Sequence, residues 1–256
     1  MNIDATFHDL EGKSVFISGG GAGIGEYLTE GFVRAGAKVA FVQRSDATEA
    51  CDRIEKEAGT RPLFIECDVT DIPALQKSIK QAADVHGDVD VLINNAAWDN
   101  RHTLDELSVD QWDHMSNVNI RHHFFAAQAV APAMREKGEG AIINYSSISY
   151  MMGNAGYPAY AAAKSGITGL TRALARELGP DGIRVNALMP GWVLTKRQRE
   201  LWVTPEALEG HLGRQCLKQE IEPEDMVGPT LFLASRASRM MTGQALVVDG
   251  GVVVTG

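Results

Sequence analysis

Ser147, Tyr160 and Lys164 are the residues whose types and spacing most directly suggest chemistry. Twelve residues separate the serine from the tyrosine, and the lysine follows the tyrosine by four. A free phenol titrates near pH ~10 and is a poor base. A lysine four positions along a helix lies on the same face, and its positive charge favours the phenolate and lowers the tyrosine pKa. A serine hydroxyl beside them can hold a substrate oxygen by donating or accepting a hydrogen bond. Such a set moves a proton on or off an alcohol at neutral pH. Joined to a nucleotide cofactor, it specifies interconversion of an alcohol and a carbonyl. Tyr-x-x-x-Lys alone is common in helices as a surface pair. Here Pro158 marks a helix start near Tyr157, which places Tyr160 and Lys164 in the first turns.

The elements that must position these groups read as an alternation. Short apolar runs at 15–18, 39–42, 63–67, 89–93, 141–145, 185–189 and 246–248 fit strands buried on both faces. Helical periodicity fills 24–35, 47–58, 72–86, 109–137, 157–178 and 223–234. The expected fold is α/β: a Rossmann-type, doubly wound, seven-stranded parallel sheet with helices on both faces, in a single domain over 1–256. The one irregular insertion, at about 192–222, leaves the edge where ligands bind in such sheets and reads as a lid.

The first strand runs into Gly19-x-x-x-Gly23-x-Gly25, with Gly20 and Gly21 in addition. Glycines let main-chain N–H groups approach a pyrophosphate, and the helix starting near Ile24 directs its positive end at that phosphate. Asp68, before Val69 at the end of the third strand, either accepts the adenine amino group or caps the following helix. Asn94 and Asn95 close the fourth strand beside Ala96, where they cap the loop or allow close approach to a ribose. An NAD-selective site carries an acidic residue about 20 positions beyond the glycines. Neutral Gln43 stands there, followed by Arg44, which either pairs with a 2′-phosphate or is a solvated arginine paired with Asp46. The expected cofactor is NADP, with NAD also usable through Gln43. Asn119 lies inside a helical stretch, where asparagine is unfavourable. It either holds a water beside Lys164, extending a proton path, or bends the helix.

Taken together, Gly19-x-x-x-Gly23-x-Gly25, Asp68, Asn94-Asn95-Ala96, Asn119, Ser147, Tyr160-x-x-x-Lys164 and Pro190-Gly191 resemble the short-chain dehydrogenase/reductase family over the whole chain. The resemblance implies Tyr160 as acid/base, Lys164 lowering its pKa and binding ribose, Ser147 positioning the substrate oxygen and Asn119 anchoring a relay water. It implies Pro190, Gly191, the Val193 main chain and the Thr195 hydroxyl at the nicotinamide, and a homotetramer. One departure is Ala97, where the family usually has glycine.

The substrate loops supply Trp98, Asn100, Ser149, Asn154, Trp192 and Gln198 around Ser147 and Tyr160. Hydrogen-bonding groups mixed with flat aromatics suit a polyhydroxylated ligand better than a steroid or acyl chain. Several stretches are similar to bacterial aldose 1-dehydrogenases acting on D-xylose, L-arabinose or galactose: 99–102, 117–122, 129–132, 195–198 and 215–218. That likeness implies oxidation of an aldose at C1 to its lactone. A ketoreductase of another class, acting on a 3-oxoacyl chain or cyclic ketone, and a non-catalytic nucleotide sensor remain alternatives.

The composition sets the bounds. A net charge of −9 argues against a nucleic-acid surface and gives no help toward an anionic membrane. Three widely spaced cysteines, without CxxC pairs, fit neither a disulfide framework nor a zinc site, so no metal is expected and a reducing cytoplasm is. No signal peptide or membrane-spanning run is read.

Overall fold

The computed structural model describes residues 5–254; residues 1–4, the start of the polar N-terminal stretch, and 255–256 lie outside them. Seven parallel strands form one sheet in the order β3-β2-β1-β4-β5-β6-β7. They are β1 (Ser14–Ser18), β2 (Lys38–Gln43), β3 (Leu63–Glu66), β4 (Val91–Asn94), β5 (Gly140–Tyr145), β6 (Ile183–Pro190) and β7 (Ala245–Val248). The apolar runs are near-continuous because successive side chains enter opposite cores. Val15, Ile17, Val39 and Phe41 pack on one face, under α1 (Gly23–Arg34), α2 (Thr48–Ala58) and α10 (Val227–Ala234). Phe16, Ala40, Val42 and Leu92 pack on the other, under α3 (Ile72–His86), α5 (His122–Lys137) and α7 (Pro158–Leu178). The order reverses between β1 and β4, so their carboxyl ends open the crevice in which doubly wound sheets bind ligands.

Three elements differ from the sequence expectation. The 109–137 stretch is α4 (Val109–Ser116), a widened π-helical turn over Asn117–Arg121, and then α5. Such turns recur at functional sites. The 192–222 segment is not irregular, because it contains α8 (Lys196–Leu201) and α9 (Pro205–Arg214). Thr195 and Thr204 cap these helices through Gln198 N–H and Ala207 N–H, and Pro205 occupies the first helical position of α9. A short α6 (Ser149–Met152) follows β5. No helix among the described residues is long and apolar enough to cross a membrane.

Candidate active site

The catalytic helix α7 begins where two loops are pinned to it. Its N-cap, Tyr157, makes no side-chain cap. The substitute is His102, buried, whose Nε2 accepts the Ala159 N–H at 3.4 Å while its main-chain N–H donates to Gly156 O at 2.8 Å. One turn in, Lys164 is 1% exposed and its Nζ donates to Tyr145 O at 2.8 Å. The same nitrogen lies 5.5 Å from the centre of the Tyr160 ring. Ser147, just past β5, places its hydroxyl in hydrogen-bonding reach of Tyr160 and accepts the Ser149 N–H at 3.1 Å. The three groups therefore converge at one strand edge.

The electrostatics differ from the expectation that a fixed lysine charge lowers the tyrosine pKa. Burial pushes the Lys164 ammonium down to about 7, with Asp99 opposing the fall. Tyr160 keeps part of its surface open to the cavity, yet its pKa is pushed up, first by burial and then by the negative charge of Asp99, against the Ser147 hydrogen bond. The physical reason is desolvation, which penalises the charged form of each group, the phenolate and the ammonium alike.

Asn119 is fully buried, and its side chain is spent on main-chain groups. Its Nδ2 donates to Trp98 O and Met115 O, both at 2.9 Å, and its Oδ1 accepts the Trp98 N–H at 2.9 Å. Both amide hydrogens are used, so the side chain clamps the loop after β4 and has no donor left for a water.

A cavity of about 720 Å³ lies over this edge. Its lining joins residues expected at the cofactor, Ile24, Asn95, Lys164, Pro190, Gly191, Val193 and Thr195, to residues expected at the substrate, Ser147, Ser149, Asn154, Tyr160, Trp192 and Gln198. Trp98 and Asn100 do not reach it; they line a separate cavity of about 230 Å³, where Trp98 packs edge-on against His114. Ala97 and Asp99 line the main cavity, Trp98, Asn100 and His102 line the smaller one, and Arg101 lines both. From Ala97 to Asn100 successive residues therefore line different cavities, and Trp98 and Asn100, expected at the substrate, line the smaller one. Asp99 is the consequential omission. It accepts from Gln198 Nε2 and pairs with Arg197 at 3.5 Å, while Gln198 Oε1 accepts from Trp192 Nε1 at 2.9 Å. These bonds tie the 192–222 segment across the cavity mouth.

The glycine loop fits a dinucleotide. Gly19 and Gly23 have φ of 71° and 55°, a region that favours glycine. The α1 N-cap, Ala22, offers no side-chain acceptor, so the first helical N–H groups remain for an anion. The other glycines serve packing: a Cβ on Gly25 would meet Gly19 O at 1.8 Å, and one on Gly21 would meet Ala47 Cβ at 2.6 Å. Gln43 is a strut for this loop, accepting the Gly21 N–H at 2.9 Å. Arg44 extends into solvent, and its nearest carboxylate is Asp68 at 4.0 Å, not Asp46, which binds Thr48. Nor is Asp68 the helix cap. It closes a turn on Thr70, and Asp71 caps α3 through Ala74 N–H. Val69 is buried in the core, so only its main chain can face a ligand.

Asn95 donates from Nδ2 to Ser18 O and Gly19 O, latching β4 to β1, whereas Asn94 is buried against Asn144. Thr195 Oγ1 already caps α8 but retains its proton for donation. The Val193 main chain pairs within its own turn, its N–H donating to Gly191 O. Among the described residues no group of three or more His, Cys, Asp or Glu could hold a metal.

Known proteins share this arrangement. A family model described as enoyl-(acyl carrier protein) reductase matches residues 19–253. The "Probable galactose dehydrogenase" of Rhizobium meliloti is 46% identical over 96% of this chain and 97% of its own. The D-xylose 1-dehydrogenase of Caulobacter vibrioides is 46% identical over 96% and 98%. A solved chain from Beutenbergia cavernae, with bound NADP at low occupancy, is 35% identical and superimposes over 96% of this chain and 98% of its own with a TM-score of 0.89.

Proposed function

The chain belongs to the short-chain dehydrogenase/reductase family, whose dehydrogenases use NAD(P), and from that premise we propose that it oxidises an aldose at C1 to the lactone. The observation that carries the reading is the lining of the cavity that holds Tyr160. Asp99, Asn154 and Gln198 offer donors and acceptors there, and Trp192 and Trp202 offer flat apolar faces. A pyranose presents hydroxyls at its rim and C–H groups on its faces, and needs both. The 46% identity to two sugar dehydrogenases supports it.

In this reading Ser147 holds the anomeric oxygen. Tyr160 removes the O1 proton as the C1–H pair leaves as hydride, and C1 becomes the lactone carbonyl. Nicotinamide, when bound, is the two-electron acceptor, and its positive ring also favours the phenolate that burial and Asp99 oppose. Lys164, poised near neutrality, passes the proton onward. A relay water at Asn119 would use that residue's main chain, in the widened turn, because its side chain is engaged. Arg44, which among the described residues has no carboxylate closer than 4.0 Å, supports NADP as preferred cofactor, with NAD also accepted. Exposed Val109, Trp112 and Phe124 on α4 and α5 support self-association as a homotetramer. The free cysteines fit a cytoplasmic setting.

A panel of free aldoses with NADP and NAD, followed by reduced-cofactor absorbance, tests the substrate. Absence of turnover with every pentose, hexose and deoxyhexose would sink the sugar reading and leave the ketoreductase. An unchanged ratio of NADP to NAD affinity in Arg44→Ala would overturn the role given to Arg44.

A further inference from the structure

Beneath the cofactor end of the cavity lies a buried polar group with no part in the chemistry above. Ser18, His122 and His123 are all 0% exposed. Ser18 Oγ lies 3.0 Å from Asn95 N, 3.1 Å from Ala96 N and 3.2 Å from His122 Nε2. A hydroxyl has one proton and two lone pairs. Both neighbouring main-chain N–H groups can only donate, so they take the two lone pairs. The serine proton must then go to His122, whose Nε2 is the acceptor and whose own proton sits on Nδ1. Among the described residues that Nδ1 has no hydrogen-bond partner, and the ring lies against the Val118 main chain of the widened turn. His122 is therefore a neutral acceptor held between the π-helical turn and the end of β1.

We propose that His122 is a positioning residue for the dinucleotide: by accepting the Ser18 proton it orients that hydroxyl, which fixes the Asn95–Ala96 main chain. The placement matters because there is no slack beside it. A Cβ on Gly19 would sit 3.0 Å from Ala96 Cα, so the phosphate-binding turn and the Asn95–Ala96 turn are packed main chain to main chain. Asn95 also lines the cavity with Ile24 and Lys164. An aliphatic residue at 122 would fill the same core but free the Ser18 hydroxyl to rotate, and one of the two N–H groups would lose its acceptor. Neighbouring His123 does not share the role: its Nδ1 donates to Asn144 Oδ1 at 3.3 Å, within the core.

The inference rests on the dinucleotide reading and is independent of the sugar. It is tested with His122→Leu, which removes the acceptor, and His122→Gln, whose Oε1 can restore one near the Nε2 position. Two readouts are taken on each: NADP affinity by titration calorimetry, and hydrogen exchange of the Asn95 and Ala96 amides without cofactor. His122→Leu is expected to weaken NADP about tenfold, the worth of roughly one net hydrogen bond, and to speed exchange at both amides. Turnover at saturating cofactor stays within about twofold, a pattern that general core damage would not give. His122→Gln recovers most of the affinity and the protection. Ser18→Ala weakens NADP similarly, and adding His122→Leu to it costs nothing more if the histidine acts through the serine.

Wild-type affinity and unchanged exchange in His122→Leu would overturn the proposal, as would full additivity in the double variant. Should His122→Leu fail to fold, His122→Gln and Ser18→Ala decide alone: a Gln variant that exchanges as fast as Ser18→Ala refutes it. Failure of the native protein to bind NADP would instead strike the cofactor reading, while hydrogen exchange still reports on His122.

Discussion

The cavity has two walls built on opposite principles. The floor, formed by the ends of β1 and β4 and the widened turn of the 109–137 helix, uses buried side chains bonded to main chain: Asn119 to Trp98, Ser18 to Asn95 and Ala96. The facing wall, α8 and α9, is tied by side chain to side chain, Gln198 and Arg197 to Asp99, and these are partly exposed. A buried bond to main chain is costly to leave unmade, so the floor holds one geometry. A half-exposed pair of side chains exchanges readily with other hydroxyls, so the facing wall can trade its contacts for a substrate's. The difference separates what must be fixed, the cofactor and the proton path, from what must adapt.

The most damaging way to probe the contrast is at its centre. Tyr160→Phe should lower kcat by about 10²–10⁴ with any substrate and leave the melting temperature close to native. Turnover surviving at the native rate would remove Tyr160 from the chemistry. Next comes the floor. Asn119→Ala strips three bonds from buried main-chain groups, and we expect a loss of about 2–4 kcal/mol, read as a fall in Tm of roughly 5–10 °C. A Tm unchanged within a degree would show that the clamp is not structural.

Acid should also attack the core beneath the floor first. His122 titrates at about 3 and His123 well below its usual range, both chiefly because burial penalises the cation. Below the unfolded value of ~6.5 the unfolded chain binds protons that the folded chain refuses, so stability falls as pH falls through that window. Each imidazole contributes up to about 1.4 kcal/mol per pH unit. Urea midpoints at pH 7 and pH 5 measure this, and His123→Gln should flatten the slope. The facing wall gives the smallest effects. Gln198→Ala should raise the sugar KM less than about tenfold without moving Tm. Asp99→Asn removes the charge that raises Tyr160 and supports Lys164, so the rising limb of the alcohol-oxidation pH profile should move to lower pH. A limb moving to higher pH would contradict the assignment.

Much of the floor was legible in the sequence because its signals are local. A glycine spacing after a strand, Tyr-x-x-x-Lys behind Pro158 and an asparagine inside a helix each carry their meaning within a few residues. The helices of the facing wall read as an irregular insertion, because their short apolar faces give no strong period; Thr195 and Thr204-Pro205 are the cap signals that mark them. Three matters were not local. The parity of the 97–102 loop depends on how the chain leaves β4 after Asn94, which no local spacing reports. The direction of the Tyr160 shift depends on how the fold buries the phenol and brings Asp99 near it. The partner of His122 is Ser18, over a hundred positions away, and no spacing rule connects them.

The alternation of the 97–102 loop has a reach beyond this one chain. Its two faces present different chemistry, Ala97 and Asp99 on one side, Trp98, Asn100 and His102 on the other, with Arg101 reaching both. Inserting or deleting a single residue ahead of Asp99 would exchange the faces at a stroke. The substrate chamber would gain an indole and lose its carboxylate without any point substitution, while Asn119 went on gripping whichever main chain stood at that place. Loop length, as much as residue identity, is then a dial for substrate choice on this scaffold.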